Sequence, residues 1–183
     1  MRLLHGTTAT LMLLSLAACD KPPAKPKPTL HEVMMGSIDP VADVIWEESS
    51  KAYGEDGNAA TGKLTNAEWL KIEQAARDLH EGAMVIADNP AIAATRPGVK
   101  ILEEGVVAEA VTAAQVARYI ERDRPGLARH ARELSTIALG IEASAKAKDV
   151  TTTVRLSEEL DDVCESCHKR FWYPEQPAPV GKR

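Results

Sequence analysis

The chain has 183 residues, with 27 acidic and 22 basic side chains, a formal net charge of −5, 44% hydrophobic residues and 4% aromatic residues. This length fits one ordinary globular domain, and the charged fraction excludes a protein that crosses a membrane several times. A net-acidic chain without basic or aromatic clusters also argues against nucleic-acid binding, which needs Lys and Arg near the phosphates. The three cysteines, at positions 19, 164 and 167, are too few for a disulfide framework.

The first 18 residues are typical of a secretory signal peptide. A short positive start is followed by an apolar stretch, diluted by threonines, that ends at Ala18. A membrane-spanning helix needs about 20 predominantly apolar residues, so this stretch is too short to be one. The sequence Leu16-Ala17-Ala18-Cys19 resembles the box at which bacterial lipoproteins are cleaved and lipidated on the cysteine. The alternative is an ordinary signal peptide whose cleavage leaves Cys19 as a free thiol.

Lipidation of Cys19 predicts a membrane-anchored chain, since two or more acyl chains hold a protein stably at a membrane. We therefore expect an exported protein on the periplasmic side. Asp20 resembles the signal that retains some lipoproteins on the inner membrane. Residues 19–29 are rich in proline and lysine, and they predict a solvated tether of roughly 30 Å. Residues 174–183 are also rich in proline and predict a flexible tail.

Residues 30–173 show dense helical periodicity and no stretch that alternates well enough to predict a strand. Apolar residues recur at spacings of three and four in stretches that begin near residues 30, 65, 123 and 149. Pro40 lies inside the first stretch, so we expect a kink or a lost backbone hydrogen bond there. The second stretch opens with a capping box, Thr65 and Glu68, and ends before Pro90.

The third stretch begins at Asp123 with Pro125 in its first turn, and the fourth begins at Asp149 or Thr151. Four amphipathic helices of this length predict an all-α fold, an antiparallel four-helix bundle with one shared core. The connection between the second and third helices is too long for a structureless loop. A capping box within it predicts an extra short helix over residues 112–122.

The strongest signal in the chain is the sequence Cys164-Glu165-Ser166-Cys167-His168. C-x-x-C-H is the pattern of covalent c-type haem attachment. The two thiols form thioethers with the haem vinyl groups, and the histidine binds iron as the proximal ligand. On a helix, residues three and four apart share a face, so both sulfurs and the imidazole point the same way. Export to an oxidising compartment agrees with this interpretation.

Two other kinds of site use the same residue types, and a chance match is the third alternative. A zinc site needs a fourth ligand and usually a second Cys or His pair, which the sequence does not offer. A redox-active dithiol is expected beside a strand–helix unit, which the sequence does not predict. We therefore expect one covalent haem c, with Cys164, Cys167 and His168 as its attachment residues.

A chain of four helices with C-x-x-C-H near the end of the last one resembles the class II c-type cytochromes, the cytochrome c prime family. The resemblance covers about residues 30–173, and the segments LHEVMMGSIDPVADVIW and CESCHKRFWYP are similar to a proteobacterial branch. It implies a first-helix methionine as sixth iron ligand in low-spin members. In cytochrome c prime proper it implies a bulky residue there and five-coordinate iron. It also implies pairing of two chains into a homodimer.

Six side chains lie at helix ends that reach the distal side of such a haem: His31, Met34, Met35, His80, Met84 and His130. At about 100° per residue, Met34 falls at the centre of the first apolar stripe and Met35 a quarter turn or more away. His130 flanks its stripe and can line the cavity, whereas His31 is predicted to face solvent. A methionine on an apolar stripe is usually core filler. Because Met34 also matches the ligand position of low-spin members, we expect it to be the distal ligand, with Met35, a histidine or an open site as alternatives.

The chain departs from the cytochrome c prime pattern at two places. That family commonly has an aromatic and then a basic residue three and four places after the histidine. Here these are Phe171 and Trp172, and the basic charge lies at Lys169 and Arg170. An arginine often found one turn before the distal residue is replaced by Leu30. The departures leave proximal-face gas chemistry open and the haem propionate partners unassigned.

Together these features predict an electron carrier rather than an enzyme, since a methionine ligand raises the haem potential and suits electron transfer. Its expected partners are redox proteins of the periplasm or inner membrane, and it meets the membrane only through lipid on Cys19. A five-coordinate haem protein that binds NO or CO is one alternative. A thiol–disulfide enzyme that uses Cys164 and Cys167 is another.

Overall fold

The computed structural model describes residues 26–54, 63–102, 104–105 and 110–174. All the elements in these ranges are helical: α1 (Leu30–Val33), a π-helical turn (Met34–Ile38), α2 (Asp39–Ser50), α3 (Asn66–Ala87), α4 (Ala113–Arg122), α5 (Arg124–Ala147) and α6 (Val150–Phe171). The prediction of an all-α fold is confirmed for these residues. The predicted signal peptide, Cys19 and Asp20, most of the tether and most of the tail lie outside the described residues.

The helices begin where side chains satisfy their free N–H groups. Thr65 caps α3 and Thr112 caps α4, each in a capping box with the residue three places on. The extra helix predicted over residues 112–122 is therefore confirmed, as α4. Of the two starts considered for the last helix, Asp149 is the cap, because its carboxylate accepts a hydrogen bond from the backbone N–H of Thr152.

Asp123 ends α4 and caps α5. Its carboxylate accepts a hydrogen bond from the Gly126 N–H at 2.9 Å and pairs with the Arg170 guanidinium of α6. A Cβ at position 126 would clash with this carboxylate, so glycine is needed for the cap. These contacts lower the pKa of Asp123, with the bond from Arg170 as the main cause. One carboxylate thus fixes the start of α5 and the end of α6 together.

The first helical stretch runs from Leu30 to Ser50 and contains a wider turn. In the π-helical turn the Asp39 N–H donates to the carbonyl oxygen of Met34, five residues earlier. Pro40 follows directly; it has no N–H, and in a regular α-helix its ring clashes with the carbonyl of residue 36. The predicted loss of a regular hydrogen bond near Pro40 is confirmed in the form of this turn.

Neighbouring long helices run antiparallel. Between α3 and α5, Arg77 Nε donates to Glu142 at 3.1 Å, and the Ala87 carbonyl accepts from Arg132 at 3.3 Å. The core between these helices is fully buried and combines branched side chains with alanines: Ile72, Ala76, Leu79, Ala83, Ala138 and Ile141. The alanines let the two backbones approach closely, as their spacing in the sequence suggests.

α6 lies antiparallel to α5 and also contacts α2. Thr153 Oγ1 donates to Ser144 Oγ at 2.8 Å near the start of α6, and the indole N–H of Trp46 donates to the Ser157 carbonyl at 3.0 Å. α2 is joined to α3 by Glu48, whose side chain is 3% exposed and accepts from Lys71 Nζ at 2.5 Å. The helices thereby enclose one core. No helix in the described ranges is long and apolar enough to cross a membrane.

We predict that Leu79→Ala lowers the free energy of unfolding by about 2–5 kcal/mol, since it removes a core side chain and leaves a cavity. Leu79 is 0% exposed, whereas Leu70 on the same helix is 64% exposed. The matched control, Leu70→Ala, is expected to change stability by no more than about 0.5 kcal/mol. Urea unfolding of the two variants and the parent measures both. Equal effects at the two positions would contradict the assignment of the core face of α3.

Candidate functional site

The C-x-x-C-H residues lie on one face of α6, near its C-terminal end. Cys164, Cys167 and His168 all line the same cavity, and Met34, at the start of the π-helical turn, lines it from the opposite side. Cys167 and His168 lie three and four residues after Cys164 on one helix, which accounts for their shared face. Met34 comes from a distant part of the sequence, so its presence depends on how the first stretch packs against α6. The structure thus brings together the four residues predicted to hold haem.

We call this space the inner cavity. It lies where α1, the ends of α3 and α6, and the start of α5 meet, and its other lining residues are mostly apolar: Leu30, Ile38, Ile86, Val116, Leu127, His130, Ala131, Leu134, Val163, Phe171 and Trp172. Its volume is about 50 Å³, room for one or two water molecules. The helix ends predicted to surround the site are those observed. Val116 of α4 is an addition that the sequence analysis missed.

A second, more open space lies on the other side of Met34, His168 and Trp172, and we call it the outer cavity. It has a volume of about 250 Å³ and is more polar: its remaining lining residues are His31, Met35, Asp39, Leu102 and Tyr173. Met34, His168 and Trp172 line both cavities. These three side chains therefore form the wall between an apolar interior and a polar mouth.

The two thiols are free and partly buried. Burial raises the pKa of Cys164 to about 11, with Asp161 and Asp39 adding to the effect. Burial likewise raises the pKa of Cys167 to about 12, with a smaller contribution from Cys164. Burial acts in this direction because it disfavours the charged thiolate. A redox-active dithiol has the opposite property, a lowered pKa, so this environment argues against the thiol–disulfide alternative.

Aromatic rings and a carboxyl group surround His168. The centroid of its imidazole lies 6.0 Å from that of Trp172 and 6.1 Å from that of Tyr173, both in tilted arrangements. Asp39 lines the same outer cavity, and burial raises its pKa, although the charges of His168 and His31 act against that shift. Packing between aromatic rings restricts the imidazole. The histidine is therefore held at the boundary between the two cavities.

The other candidates for the distal side differ in position. Met35 is 49% exposed and lines only the outer cavity, as its place on the helix predicted. His130 lines the inner cavity, edge-on to Phe171 at a ring distance of 5.9 Å, with Nδ1 3.4 Å from Ser166 Oγ. The prediction that His130 flanks the cavity is confirmed. Of the two, only His130 faces the space that the cysteines share.

Three further predictions are tested by these positions. His80 hydrogen-bonds Ser135 at 2.8 Å, and neither His80 nor Met84 lines either cavity. The prediction that His31 faces solvent is wrong. His31 is half-buried and lines the outer cavity, because Leu102, from the segment between α3 and α4, and Trp172 and Tyr173, which follow α6, line the same space. These residues come from parts of the chain that helical periodicity does not describe.

The basic residues after the histidine are both engaged by carboxylates. Lys169 pairs with Glu165 at 3.1 Å, and Arg170 pairs with Asp123. Neither residue lines the inner or the outer cavity. The two displaced basic residues thus form ion pairs, one on the surface of α6 and one between α6 and the start of α5.

No protein-family model, no curated protein and no solved structure matches the chain. Within the described residues, no group of three or more His, Cys, Asp or Glu side chains is arranged to hold a metal ion.

We predict that Cys164 and Cys167 alkylate slowly in the folded, haem-free chain at pH 8. With a pKa of about 11, on the order of one Cys164 thiol in a thousand is ionised at that pH, and the thiolate is the nucleophile. The rate should rise as the pH approaches 11 and should also rise on unfolding in urea. Peptide mass spectrometry after timed iodoacetamide treatment gives each rate. Equal rates in folded and unfolded chains at pH 8 would show that the thiols are not buried.

Proposed function

We propose that the chain is a c-type cytochrome that carries one covalently bound haem and transfers single electrons. The observation that carries the proposal is the convergence of Cys164, Cys167, His168 and Met34 on one apolar cavity. Two thiols, an imidazole and a thioether are the groups that attach haem c and coordinate its iron. Support beyond the sequence motif comes from Met34, since the motif itself contains no information about the opposite wall.

The helix contacts support the finer part of the fold proposal. α2, α3, α5 and α6 pack antiparallel to their neighbours, and α2 closes on α6 through Trp46 and Ser157. We propose that they form an antiparallel four-helix bundle of the cytochrome c prime kind over residues 30–173, with α4 as the extra helix. In such a bundle, cofactors bind between facing helices, and the inner cavity lies in that position here.

The residues fit haem in chemistry and polarity, and the fit requires the wall between the cavities to open. The inner cavity, at about 50 Å³, is far smaller than a porphyrin. Separating Met34 from His168 and Trp172 joins it to the outer cavity and produces a slot that is apolar inside and polar at its mouth. A porphyrin has the same division, with an apolar body and two carboxylates on one edge.

Each residue has a role that follows from its type. The Cys164 and Cys167 thiols form the covalent bonds to the chain, and a ring nitrogen of His168 is the proximal iron ligand. The apolar lining keeps water from the site. Haem, when bound, supplies an iron that alternates between the ferric and ferrous states. The sulfur of Met34 is the distal ligand, which raises the potential and suits electron exchange with redox proteins.

A specific feature of the first helix favours a second candidate function, binding of NO or CO at five-coordinate iron. Met34 begins the π-helical turn, where the helix departs from regular α geometry, and such turns are frequent at functional sites. In this second candidate Met34 packs beside the iron without binding it.

The cellular location of the protein is proposed from the sequence alone. We propose export by the signal peptide 1–18 and lipid anchoring through Cys19, with Asp20 favouring the inner membrane. The proposed partners are redox proteins of the periplasm or inner membrane, and the resemblance to the cytochrome c prime family adds a homodimer.

We predict that the chain matured in a bacterium with a haem-attachment system gains the mass of one haem. Cys164→Ala and Cys167→Ala should each keep at most one thioether, and the double variant should lose covalent haem completely, since no vinyl group then has a sulfur to bind. Intact-mass spectrometry of the purified proteins measures this. The control is the double variant Ser157→Ala and Ser166→Ala, also on α6, which should retain haem.

We predict that Met34→Ala converts low-spin to high-spin iron and allows CO to bind, because it removes the sixth ligand. Met35→Ala is the matched control, since its neighbouring sulfur lies only on the outer cavity. Absorbance spectra of the reduced proteins with and without CO distinguish the two. If Met34→Ala leaves the spectrum unchanged, Met34 is not the ligand. If the parent is already high-spin and binds CO, the second candidate function is favoured.

A further inference from the structure

The outer cavity contains an imidazole with unused hydrogen-bonding capacity. His31 lines this cavity together with Met34 and His168. Its Nδ1 atom is shielded from solvent and has no hydrogen-bond partner among the described residues. Buried polar atoms in folded proteins nearly always have a partner, so this atom is available to a polar group that binds beside it. The place of His31 beside the predicted iron ligands suggests what that group is.

The backbone holds His31 firmly in this position. Its N–H donates to the Ala94 carbonyl at 2.9 Å. The next residue, Glu32, is fixed by the guanidinium of Arg96 at 2.8 Å and by the capping box with Thr29. The imidazole is therefore attached to a helix start that these bonds fix. Its position does not depend on the π-helical turn that follows.

The polarity of the two cavities determines which end of a porphyrin reaches His31. A carboxylate in the inner cavity would lose its hydration without gaining partners, which is costly. The outer cavity has polar groups and opens to solvent, so the two propionates extend into it and the apolar edge of the ring occupies the interior. This assignment follows from haem being an amphiphile and from His168 lying on the wall between the spaces.

The described residues that line the outer cavity include one carboxyl group, Asp39 of α2, and no Lys or Arg, so a propionate there needs a donor. The phenol of Tyr173 already donates to the Glu165 carboxylate. An imidazole N–H is a suitable donor, because hydrogen bonds to a charged acceptor are the stronger ones.

We propose that Nδ1 of His31 donates a hydrogen bond to a haem propionate and so fixes the depth and tilt of the haem in the opened slot. The inference rests on the proposed function, since it needs haem attached at Cys164 and Cys167. It assigns a haem-binding role to a residue that the C-x-x-C-H motif does not include. His31 is a positioning residue for the carboxylate edge and is not an iron ligand.

The test compares haem-loaded parent, His31→Ala, His31→Asn and His80→Ala by resonance Raman spectroscopy. The propionate bending band of haem reports hydrogen bonding to the carboxylate. We expect this band to shift in His31→Ala and to stay near its parental position in His31→Asn, because the asparagine amide places an N–H near the position of Nδ1. His80→Ala, which removes an imidazole bonded to Ser135 outside both cavities, should leave it unchanged.

An unchanged band in His31→Ala, with haem still attached, would overturn the inference and leave the proposed function standing. No attached haem in the parent would overturn both. If His31→Ala fails to fold or to load haem, a crystal structure of the haem-loaded parent tests the inference instead. A crystal structure with His31 Nδ1 within hydrogen-bond distance of a propionate oxygen supports the inference, and one with the imidazole turned away rejects it.

Discussion

The site depends on one constraint, the packing of the Cys164, Cys167 and His168 face of α6 against the start of the first helical stretch. Helical spacing alone places two thiols and an imidazole on one side of α6. That side becomes a site only because Met34 and a mostly apolar lining meet it from α1, α3, α4 and α5. Burial then raises the pKa of both thiols. The same contact separates an apolar interior from a polar mouth, and the proposed roles of all the ligands follow from that division.

The contacts that position this site are made by residues other than the predicted haem ligands. Asp123 fixes the start of α5 to the end of α6 through Gly126 and Arg170. At the opposite wall, the backbone of Leu30 is bonded to Ala93, so the segment after α3 holds α1 in place. The π-helical turn, which begins at Met34, is the least regular part of the wall. The structure thus combines two fixed edges with one irregular wall segment, and the proposed binding of haem requires that wall to open.

Much of this arrangement could be predicted from the sequence because it depends on local rules. Helix starts at Thr65, Thr112 and Asp123 follow from capping chemistry, and the Cys164 face follows from helical periodicity. The same capping signal stands at Thr29, whose capping box with Glu32 starts α1. What could not be predicted depends on contacts between distant segments. Periodicity predicts His31 in solvent because it takes no account of Leu102 and Tyr173, which line the same cavity from segments outside the helices. The contribution of Val116 depends on how α4 folds back, and the wider turn before Pro40 is one of several ways in which a helix accommodates proline.

The central claim is that a porphyrin is covalently attached to α6, and the pyridine haemochrome spectrum tests it most directly. The protein is exported by a bacterium competent in haem attachment, extracted with acidified acetone to remove free haem, and treated with alkaline pyridine and dithionite. The account predicts haem that stays with the chain, at one per protein, with the α-band position of a macrocycle bearing two thioethers. Haem that is extracted completely, or a purified chain without any haem, would contradict the account.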